Sequence, residues 1–383
     1  MNMDLMDFRA QIDDTDDKIL LLFKKRMEIS NQIALFKKEN GIPMLDSKRE
    51  REKLASIGDK AGEELRSYAY ILYNILFELS RAKQGSVLNA ASDLSHAIAN
   101  ASDNTSKTFP KHALVACQGV EGAYSQIACD RLFSEPNILY FTSFDGVFSA
   151  IRDGLCQYGI LPLENSTAGS VNAIYDLMMS HSFKIVRSVR LKIDHNLLAR
   201  PGVKKEDIRE IVSHEQAIQQ CAEYLKSFGK GIKITPAANT AEGAKMVAAS
   251  NRNDVAALAS RSCCGLYDLK CIESSVQDRD NNYTRFICIS KDLEIYPGAD
   301  RTSIMLTTAH KPGALYKILG RIYTLGVNIV KLESRPISNR DFEFMFYFDL
   351  ETSIYSDKFA QLMCELEDMC EDFNYLGSYT EII

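Results

Sequence analysis

An apolar stripe with helical spacing over residues 5–39 constrains the fold of this chain more than any other feature of its sequence. Apolar residues recur there at steps of three and four, which places them on one face of a single long α-helix. The stripe consists of Leu5, Phe8, Ile12, Ile19, Leu22, Phe23, Ile29, Ile33 and Phe36. Because one helix cannot bury its apolar face against itself, the stripe predicts packing against other helices, from the same chain or from a second copy.

Two cations interrupt this stripe. Arg26 lies four residues after Leu22, and Lys37 lies four residues after Ile33. The two cations are separated by about three helical turns and therefore point the same way. Arg9 lies about 100° around the helix from Arg26. Such long side chains can bury their stems and keep their charged ends in water; the alternative is a pocket for an anionic partner.

Two further helices are predicted after the first. Gly41-Ile42-Pro43 predicts the end of the first helix, and Ser47-Lys48-Arg49-Glu50 fits a capping box in which Glu50 reaches back. The third helix is predicted from about Gly62 to Gln84, with Ser80 and Gln84 on one face. Three helices of such unequal length form a poor closed core, which predicts a homodimer whose long first helices pack together.

Eight polar residues of this helical region resemble, in order and spacing, the active-site pattern of the all-helical chorismate mutases. They are Arg9, Arg26, Lys37, Asp46, Arg49, Glu50, Ser80 and Gln84. The resemblance implies that Arg26, together with Arg9 of a second copy, binds the substrate carboxylates of chorismate. It also implies that Lys37 and Gln84 donate hydrogen bonds to the ether oxygen of the breaking bond.

The other residues of the pattern would hold the rest of the substrate. By resemblance, Glu50 and the backbone of Asp46 bind the ring hydroxyl. Ser80 assists a carboxylate, and Arg49 lies in the pocket. A pericyclic rearrangement needs no nucleophile, but it needs a folded substrate and donors aimed at the oxygen on which charge grows. Gln84 is a neutral donor at every pH, so activity should require no acid at this position.

The composition changes after the helical region. Residues 85–110 are rich in Ser, Asn and Ala and end at Pro110, which predicts the end of a helix followed by a flexible linker. Pro297-Gly298 marks a later boundary. The sequence thus predicts a helical domain, a linker, a middle domain and a last domain, at 1–90, 91–110, 111–292 and 299–383.

Strand and helix patterns alternate through the middle domain, which predicts an α/β fold with two lobes around a cleft. Residues 164–170, Glu-Asn-Ser-Thr-Ala-Gly-Ser, follow a strand at 158–163, and ligands of α/β sheets bind at such carboxyl ends. Ser213 follows a strand at 208–212. A helix N-cap and a ligand contact are equally good interpretations of this serine.

The polar stretch Asn281-Asn282-Tyr283-Thr284-Arg285 leads into an apolar strand at 286–289. One interpretation is an edge strand on which Thr284 and Arg285 are solvated, since polar side chains are mostly exposed. The other is a rigid element that presents a hydroxyl and a cation to a small anionic substrate.

Four motifs of the middle domain resemble those of the prephenate dehydratases, a family with two α/β lobes similar to periplasmic binding proteins. The motifs are GVEGAYS at 119–125, PLENSTAG at 162–169, SHEQAIQQC at 213–221 and NNYTRF at 281–286. The resemblance implies that Thr284 is catalytic and that prephenate is bound by Asn165, Ser213, Gln220 and Arg285, the last holding a carboxylate. Because the reaction expels CO2 and hydroxide together, it needs a group that hydrogen-bonds or protonates the departing hydroxyl.

The last domain has a strand–helix–strand–strand–helix–strand pattern, which predicts a ferredoxin-like antiparallel sheet with two helices on one face. Its stripe of Phe342, Phe344, Phe346 and Phe348 is predicted to be core. GALY at 313–316 and ESRP at 333–336 resemble the ACT domain. This resemblance implies phenylalanine as an effector, bound by Gly313, Ala314, Leu315, Glu333, Ser334, Arg335 and Pro336. The alternative is that the domain only holds the dimer together.

Charge and cysteine usage exclude several other classes. A net charge of −6 gives no general attraction to nucleic acid or to anionic membranes. The acidic start at Asp4 and Asp7 argues against a secretory signal, and no apolar run approaches the roughly 20 residues of a membrane span. The ten scattered cysteines predict reduced thiols in the cytoplasm. No His or Cys spacing suggests a metal site, and no cofactor is expected.

Taken in order, the three resemblances predict a bifunctional enzyme of phenylalanine biosynthesis. It would rearrange chorismate to prephenate and then convert prephenate to phenylpyruvate. One alternative is a dehydratase that prefers arogenate, in which an amino group replaces the keto group. Another is a non-catalytic amino-acid sensor, against which the presence of Lys37, Gln84 and Thr284 argues.

Overall fold

The computed structural model describes residues 4–42, 46–88, 93–229, 231–337 and 343–383. The chain forms two compact units. The first consists of Met1–Asn100 and Met305–Asn374, and the second of Ala101–Ile304 and Tyr375–Ile383. The C-terminal residues thus belong to the second unit.

The first unit begins with helix α1 (Leu5–Glu39), which matches the predicted first helix at both ends. The Asp4 carboxylate accepts hydrogen bonds from two amides of the first turn, at 2.7 and 3.0 Å, and so caps the helix. Asn40 follows as the C-cap. Pro43 of the predicted break lies outside the described residues.

Helix α2 (Ser47–Leu88) combines the second and third predicted helices. It is interrupted at Gly62, whose φ of 74° and ψ of 171° are not helical. A left-handed φ of this kind favours glycine. The interruption confirms the predicted start of a new helix at about this residue. A side chain on Gly58 would lie 2.3 Å from the Tyr70 hydroxyl, so the two limbs of α2 run back along each other.

The start of α2 differs from the predicted capping box. The Arg49 amide donates to the Asp46 carboxylate at 2.9 Å, so Asp46 caps the helix. The Glu50 carboxylate pairs with Arg81 on the second limb of α2 instead of reaching back. The local pattern could not show this, because Arg81 is brought near only by the fold of the helix.

Helix α3 (Asp93–Asn104) lies inside the predicted flexible linker, so that prediction was wrong for these residues. Ile98 and Ala101, three positions apart, are both buried. Their spacing is a helical signal that the Ser- and Asn-rich composition outweighed.

Two mixed sheets form the core of the second unit. Their strands are β1 (His112–Gln118), β2 (Glu135–Phe141), β3 (Tyr158–Asn165), β4 (Gly169–Ser170), β5 (Lys184–Lys192), β6 (Asn196–Ala199), β7 (Glu210–Ser213), β8 (Lys233–Pro236), β9 (Val255–Ala259), β10 (Lys270–Glu273), β11 (Tyr283–Ser290) and β16 (Glu381–Ile382). One sheet has the order β16-β5-β11-β3-β1-β2, with β4 paired to β3, and the other has the order β10-β6-β9-β7-β8. The predicted two-lobed α/β arrangement is therefore confirmed.

Short helices connect these strands. They are α4 (Tyr124–Leu132), α5 (Phe144–Arg152), α6 (Asn172–Met178), α7 (Glu215–Gln220), α8 (Ala222–Lys226), α9 (Thr240–Ala249) and α10 (Ser262–Leu266), with a single 3-10 turn at Lys205–Asp207. Strand β11 lies inside its sheet, antiparallel to both β3 and β5. The interpretation of this segment as an edge strand was therefore wrong.

A third sheet is formed by β12 (Arg301–Thr307), β13 (Asn328–Pro336), β14 (Phe344–Glu351) and β15 (Asp372–Tyr379), in the order β13-β14-β12-β15. Helix α11 (Ala314–Thr324) follows β12, and helix α12 (Asp357–Met369) follows β14. The predicted order of strands and helices is confirmed.

The predicted core stripe of this third sheet is only half right. Phe348 is buried, but Phe344 is 39% exposed, and Phe342 lies outside the described residues. Met345 and Tyr347, on the opposite face of β14, are buried. The face that carries Met345 and Tyr347 is therefore buried from the start of β14, whereas the phenylalanine face becomes buried only at Phe348, which an aromatic alternation alone does not reveal.

Candidate active sites

The polar cleft of the second unit is organised around the pairing of β11 with β3. Thr284 lies opposite Asn165 in the antiparallel register and is 9% exposed. The Asn165 Nδ2 donates to Thr284 Oγ1 at 2.9 Å and to Asn282 Oδ1 at 2.8 Å. Because the Thr284 oxygen accepts this bond, its own hydrogen can be donated to a bound molecule.

Asn165 is fixed from its other side as well. Its Oδ1 accepts hydrogen bonds from the Thr167 amide at 3.0 Å, the Thr167 hydroxyl at 2.7 Å and the Ala168 amide at 2.9 Å. These bonds set which end of the Asn165 amide faces Thr284. The turn after β3 therefore orients the amide that contacts the threonine, as expected for residues at the carboxyl end of a strand.

Gln220, at the end of α7, connects this cluster to the second sheet. Its Nε2 donates to the Thr167 hydroxyl at 2.8 Å, and its Oε1 accepts from Asn282 Nδ2 at 2.9 Å. The same Oε1 lies 2.8 Å from His195 Nε2. Burial lowers the pKa of His195, which favours the neutral imidazole with its proton on Nε2. The network is therefore built from neutral amides, hydroxyls and one neutral histidine.

Three members of this network were not singled out from the sequence: Thr167, His195 and Asn282. Thr167 and Asn282 stand inside the motifs PLENSTAG and NNYTRF, so the signal was present in the motif. His195 lies between β5 and β6, between Asp194 and Asn196, and belongs to none of the four motifs. Only the packing of α7 against this segment shows its contact.

Two predicted ligands of the cleft lie elsewhere. The Ser213 hydroxyl is fully buried and donates to the Leu258 carbonyl at 2.6 Å, and no described contact joins it to the network. His214, not Ser213, is the N-cap of α7, so the N-cap interpretation of Ser213 was wrong. Arg285 is 3% exposed, and its Nε lies 2.8 Å from the Glu381 carboxylate. Alternation along β11 directs it away from the face that carries Thr284.

The helical pocket is built from facing sides of α1 and α2. Arg26 donates to the Leu76 carbonyl at 2.8 Å and to the Ser80 hydroxyl. The Gln84 Nε2 donates to the Ser30 hydroxyl at 3.4 Å. Burial lowers the pKa of Arg26, because desolvation disfavours the charged form. A guanidinium is not deprotonated in proteins, so the side chain is a partly desolvated cation. The structure thus brings together Arg26, Ser80 and Gln84.

The other residues of the predicted mutase pattern are less buried. Lys37 is half-buried, whereas Arg9, Asp46 and Arg49 are exposed. Glu50 forms an ion pair with Arg81, which also pairs with Glu78.

A cavity of about 830 Å³ adjoins this ionic cluster. Its lining includes Glu50, Arg81, Lys311, Ala314 and Arg321. Arg81 was not identified from the sequence, because its spacing on the helix matches that of any exposed arginine.

The residues predicted to bind phenylalanine occupy two places in the first unit. Gly313 has a φ of 82° and precedes α11, with open space where a side chain would lie. The stretch 333–336 ends β13, at the edge of the third sheet. Glu333 lies 3.5 Å from the Lys331 ammonium, while Ser334 and Pro336 are exposed.

Across the described ranges, no helix combines the length and the apolar character needed to cross a membrane.

The helical pocket with its cations and the two-lobed cleft with its buried amide–hydroxyl network are two separate candidate active sites. Family models match both regions: chorismate mutase type II over residues 8–85, and prephenate dehydratase over residues 115–294. A bifunctional chorismate mutase/prephenate dehydratase of Enterobacter agglomerans is 31% identical, over 99% of this chain and 97% of that protein.

Two further similarities each cover a large part of the chain. A chloroplastic arogenate dehydratase/prephenate dehydratase of Arabidopsis thaliana is 35% identical, over 69% of this chain and 72% of that protein. The structure of a prephenate dehydratase from Arthrobacter aurescens, solved in complex with L-Phe, has 25% identity and a TM-score of 0.65, over 70% of this chain and 90% of that chain.

The chain belongs to the family of bifunctional chorismate mutase/prephenate dehydratases. It has both activities: it rearranges chorismate to prephenate, and it dehydrates and decarboxylates prephenate to phenylpyruvate. The protein therefore acts in phenylalanine biosynthesis.

Proposed function

We propose that Thr284 acts directly on prephenate in the cleft. Asn165 and Gln220 hold the Thr284 hydroxyl and the ring of prephenate in place. The observation that carries this proposal is the hydrogen bond from Asn165 Nδ2 to Thr284 Oγ1 at 2.9 Å. This bond leaves the threonine hydrogen for the departing hydroxyl of the substrate. Ser213 acts indirectly, because it ties the end of β7, from which Gln220's helix starts, to the Leu258 carbonyl.

The mutase site is proposed to need two copies of the chain. Within one copy, Arg26, Ser80 and Gln84 already face each other, and Lys37 is half-buried on the same helix as Arg26. The apolar stripe of α1 is exposed in a single copy, with Ile12 and Ile19 each 59% exposed. Packing two α1 helices together would bury this stripe and bring Arg9 to the neighbouring pocket.

In this proposal, the mutase pocket binds chorismate mainly through charge. Arg26 and Arg9 hold the two carboxylates, and Lys37 and Gln84 donate to the ether oxygen as it gains charge. Glu50 and the Asp46 backbone hold the ring hydroxyl, while Ser80 and Arg49 complete the pocket.

Reciprocal variants test the two-site assignment. Lys37→Ala is expected to abolish the rearrangement of chorismate and to leave dehydration of prephenate unchanged. Thr284→Val keeps the shape of the side chain but removes the hydroxyl, and it is expected to do the reverse. Both activities are measured on each purified variant, with Thr302→Val, another buried hydroxyl, as a control. Loss of both activities in either folded variant would contradict two separate sites.

The dehydratase site is proposed to prefer prephenate over arogenate. The mutase pocket on the same chain makes prephenate, so no intervening amino-group transfer is required. Comparing kcat/KM for the two compounds tests this, and a higher value for arogenate would overturn it.

Phenylalanine is the proposed effector, bound by an ACT-like last domain through Gly313, Ala314, Leu315 and residues 333–336. The support is the strand and helix order of that domain and the open backbone at Gly313. Binding would favour a less active population of the enzyme. Isothermal titration of folded protein with phenylalanine should release heat, and no heat would rule the effector out. A cytoplasmic location remains a prediction from the cysteine pattern.

A further inference from the structure

The C-terminal residues of the chain are built onto the dehydratase sheet. Strand β16 pairs in parallel with β5, with Glu381 opposite Ser188. The approach upstream is equally close: a side chain on Gly377 would lie 2.3 Å from the Ile185 carbonyl oxygen, and the φ of Gly377 is 144°. This backbone position therefore requires glycine. The segment is a fixed part of the sheet that carries the cleft.

Glu381 occupies the centre of a cluster of arginines behind the cleft. Its carboxylate lies 2.8 Å from Arg285 Nε, 2.8 Å from Arg190 Nη2 and 3.6 Å from Arg301 Nη2. The side chains of Glu381 and Arg285 are 3% and 4% exposed. Arg285 also donates from Nη2 to the Tyr379 hydroxyl at 3.0 Å. A buried guanidinium needs anionic partners to compensate its desolvation, and Glu381 is the nearer and more buried of two, since Arg285 Nη1 also lies 3.5 Å from the Glu164 carboxylate.

Arg285 is the chain neighbour of Thr284, and both residues are paired in register with β3 and with β5. The register of β11 against β3 shifts between Arg285 and Phe286. A shift of this kind bends a strand locally and redirects its side chains. The ladder to β3 thus holds Thr284 opposite Asn165 on one side of the irregularity only. The Arg285 side chain, anchored on the far face, fixes the strand at the irregularity itself.

We propose that Glu381 is a positioning residue for the dehydratase reaction, which fixes Arg285 and thereby the position of the Thr284 hydroxyl against Asn165. The proposal rests on the proposed role of Thr284. It also gives Arg285 a role different from the predicted contact with a substrate carboxylate. A displacement of about 1 Å at a reacting group can reduce a rate by up to about 100-fold, so loss of this anchor should appear in kcat.

The test compares Glu381→Gln with Glu210→Gln in the full-length chain. Glu210 is a matched control, because its buried carboxylate also meets three polar partners: Thr235 at 2.6 Å, Lys233 at 2.9 Å and Arg252 at 2.5 Å. No contact joins it to the described cleft network. For Glu381→Gln, the dehydratase kcat should fall by about 10- to 100-fold, with the mutase kcat of the same protein unchanged. For Glu210→Gln, both kcat values should stay near wild type, whatever the shift in unfolding midpoint.

Equal dehydratase kcat values for the two variants would overturn the proposal, since Glu381 would then contribute only to stability. If Glu381→Gln does not fold, Glu381→Asp and Glu210→Asp replace the pair. The aspartate keeps the charge but shortens the reach to Arg285, so the Glu381→Asp kcat should still fall below that of Glu210→Asp. Thr284→Val separates the two ideas. Activity retained in Thr284→Val removes the proposed role of Thr284, whereas an inactive Thr284→Val with a fully active Glu381→Gln removes only the positioning role.

Discussion

The candidate dehydratase cleft and the candidate mutase pocket are built by different physical means. In the cleft, Thr284 is 9% exposed and is held by neutral amides whose partners all come from one chain. In the pocket, cations lie on two helices, and the apolar stripe beside them is exposed, with Leu22 65% exposed. A sheet orients neighbouring side chains through its register, so a complete constellation can form inside one unit. Each helix of a pair presents one face, so a site built on that face is completed by the residues that pack over it.

The two sites are therefore expected to be sensitive to different kinds of substitution. The cleft depends on which end of each amide faces which neighbour, and a single wrong donor disrupts several hydrogen bonds. The pocket depends on the number and sign of charges around a developing oxygen anion.

Gln84→Glu should make the mutase reaction depend on acid. At pH 7.5, the new carboxylate removes a donor and adds negative charge near the ether oxygen, so kcat/KM should fall about 1,000-fold. Activity should return as the pH falls toward the ordinary glutamate pKa of about 4.3, where the side chain becomes a donor again. The measurement is a pH profile of chorismate consumption, with the dehydratase activity as internal control. A profile parallel to wild type would remove Gln84 from the site.

Negative charge placed on the α1 stripe should weaken the proposed dimer and so lower the mutase activity without lowering the dehydratase activity. Ile12→Glu with Ile19→Glu puts two like charges on the proposed dimer face, which should raise the monomer fraction in sedimentation velocity. Mutase activity should fall about 100-fold with the loss of one donor from the second copy. Tyr323→Glu, an 83% exposed aromatic outside α1, should change neither quantity. A monomeric variant with full mutase activity would show that one copy suffices.

Arg81→Gln should weaken chorismate binding without stopping the chemistry. Arg81 holds Glu50, which is proposed to bind the ring hydroxyl, so KM should rise about 10-fold while kcat changes little. Arg66→Gln on the same helix is the control, because Arg66 makes only long ion pairs at 3.9 and 4.0 Å. An unchanged KM would mean that Glu50 keeps its position without Arg81.

His195→Gln should flatten the acid side of the stability curve. Burial lowers the folded-state pKa of His195 below its ordinary value of about 6.5, so below that pH the unfolded chain binds a proton that the folded chain does not. Wild-type stability should therefore be lost as pH falls from about 6.5 toward the folded-state pKa, by at most about 1.4 kcal/mol per pH unit from this group. Urea unfolding of both proteins between pH 7.5 and 5 measures the difference. Identical slopes would show that the pKa of His195 is the same in the folded and the unfolded chain.

Much of the fold could be predicted from local patterns. The spacing of the α1 stripe predicted a helix whose ends the structure reproduces, since apolar periodicity and capping act within a few residues. The alternation of strands and helices likewise predicted the two α/β lobes and the order of the last domain. Composition misled at α3, where Ile98 and Ala101 gave only a weak periodic signal among serines and asparagines.

The residue types of both sites were determined by the sequence, and their partners were decided by the tertiary structure. The motif NNYTRF contains Thr284 and Arg285 side by side, and nothing in it shows that one faces the cleft while the other is held by Glu381 near the end of the chain. Likewise, Glu50 fits a helix cap locally but pairs with Arg81 after α2 folds back. Local sequence patterns indicate which chemistry a residue can offer. The role of a residue in the folded protein depends on which distant charge or amide the fold places beside it, because a buried polar group needs a partner that compensates its desolvation.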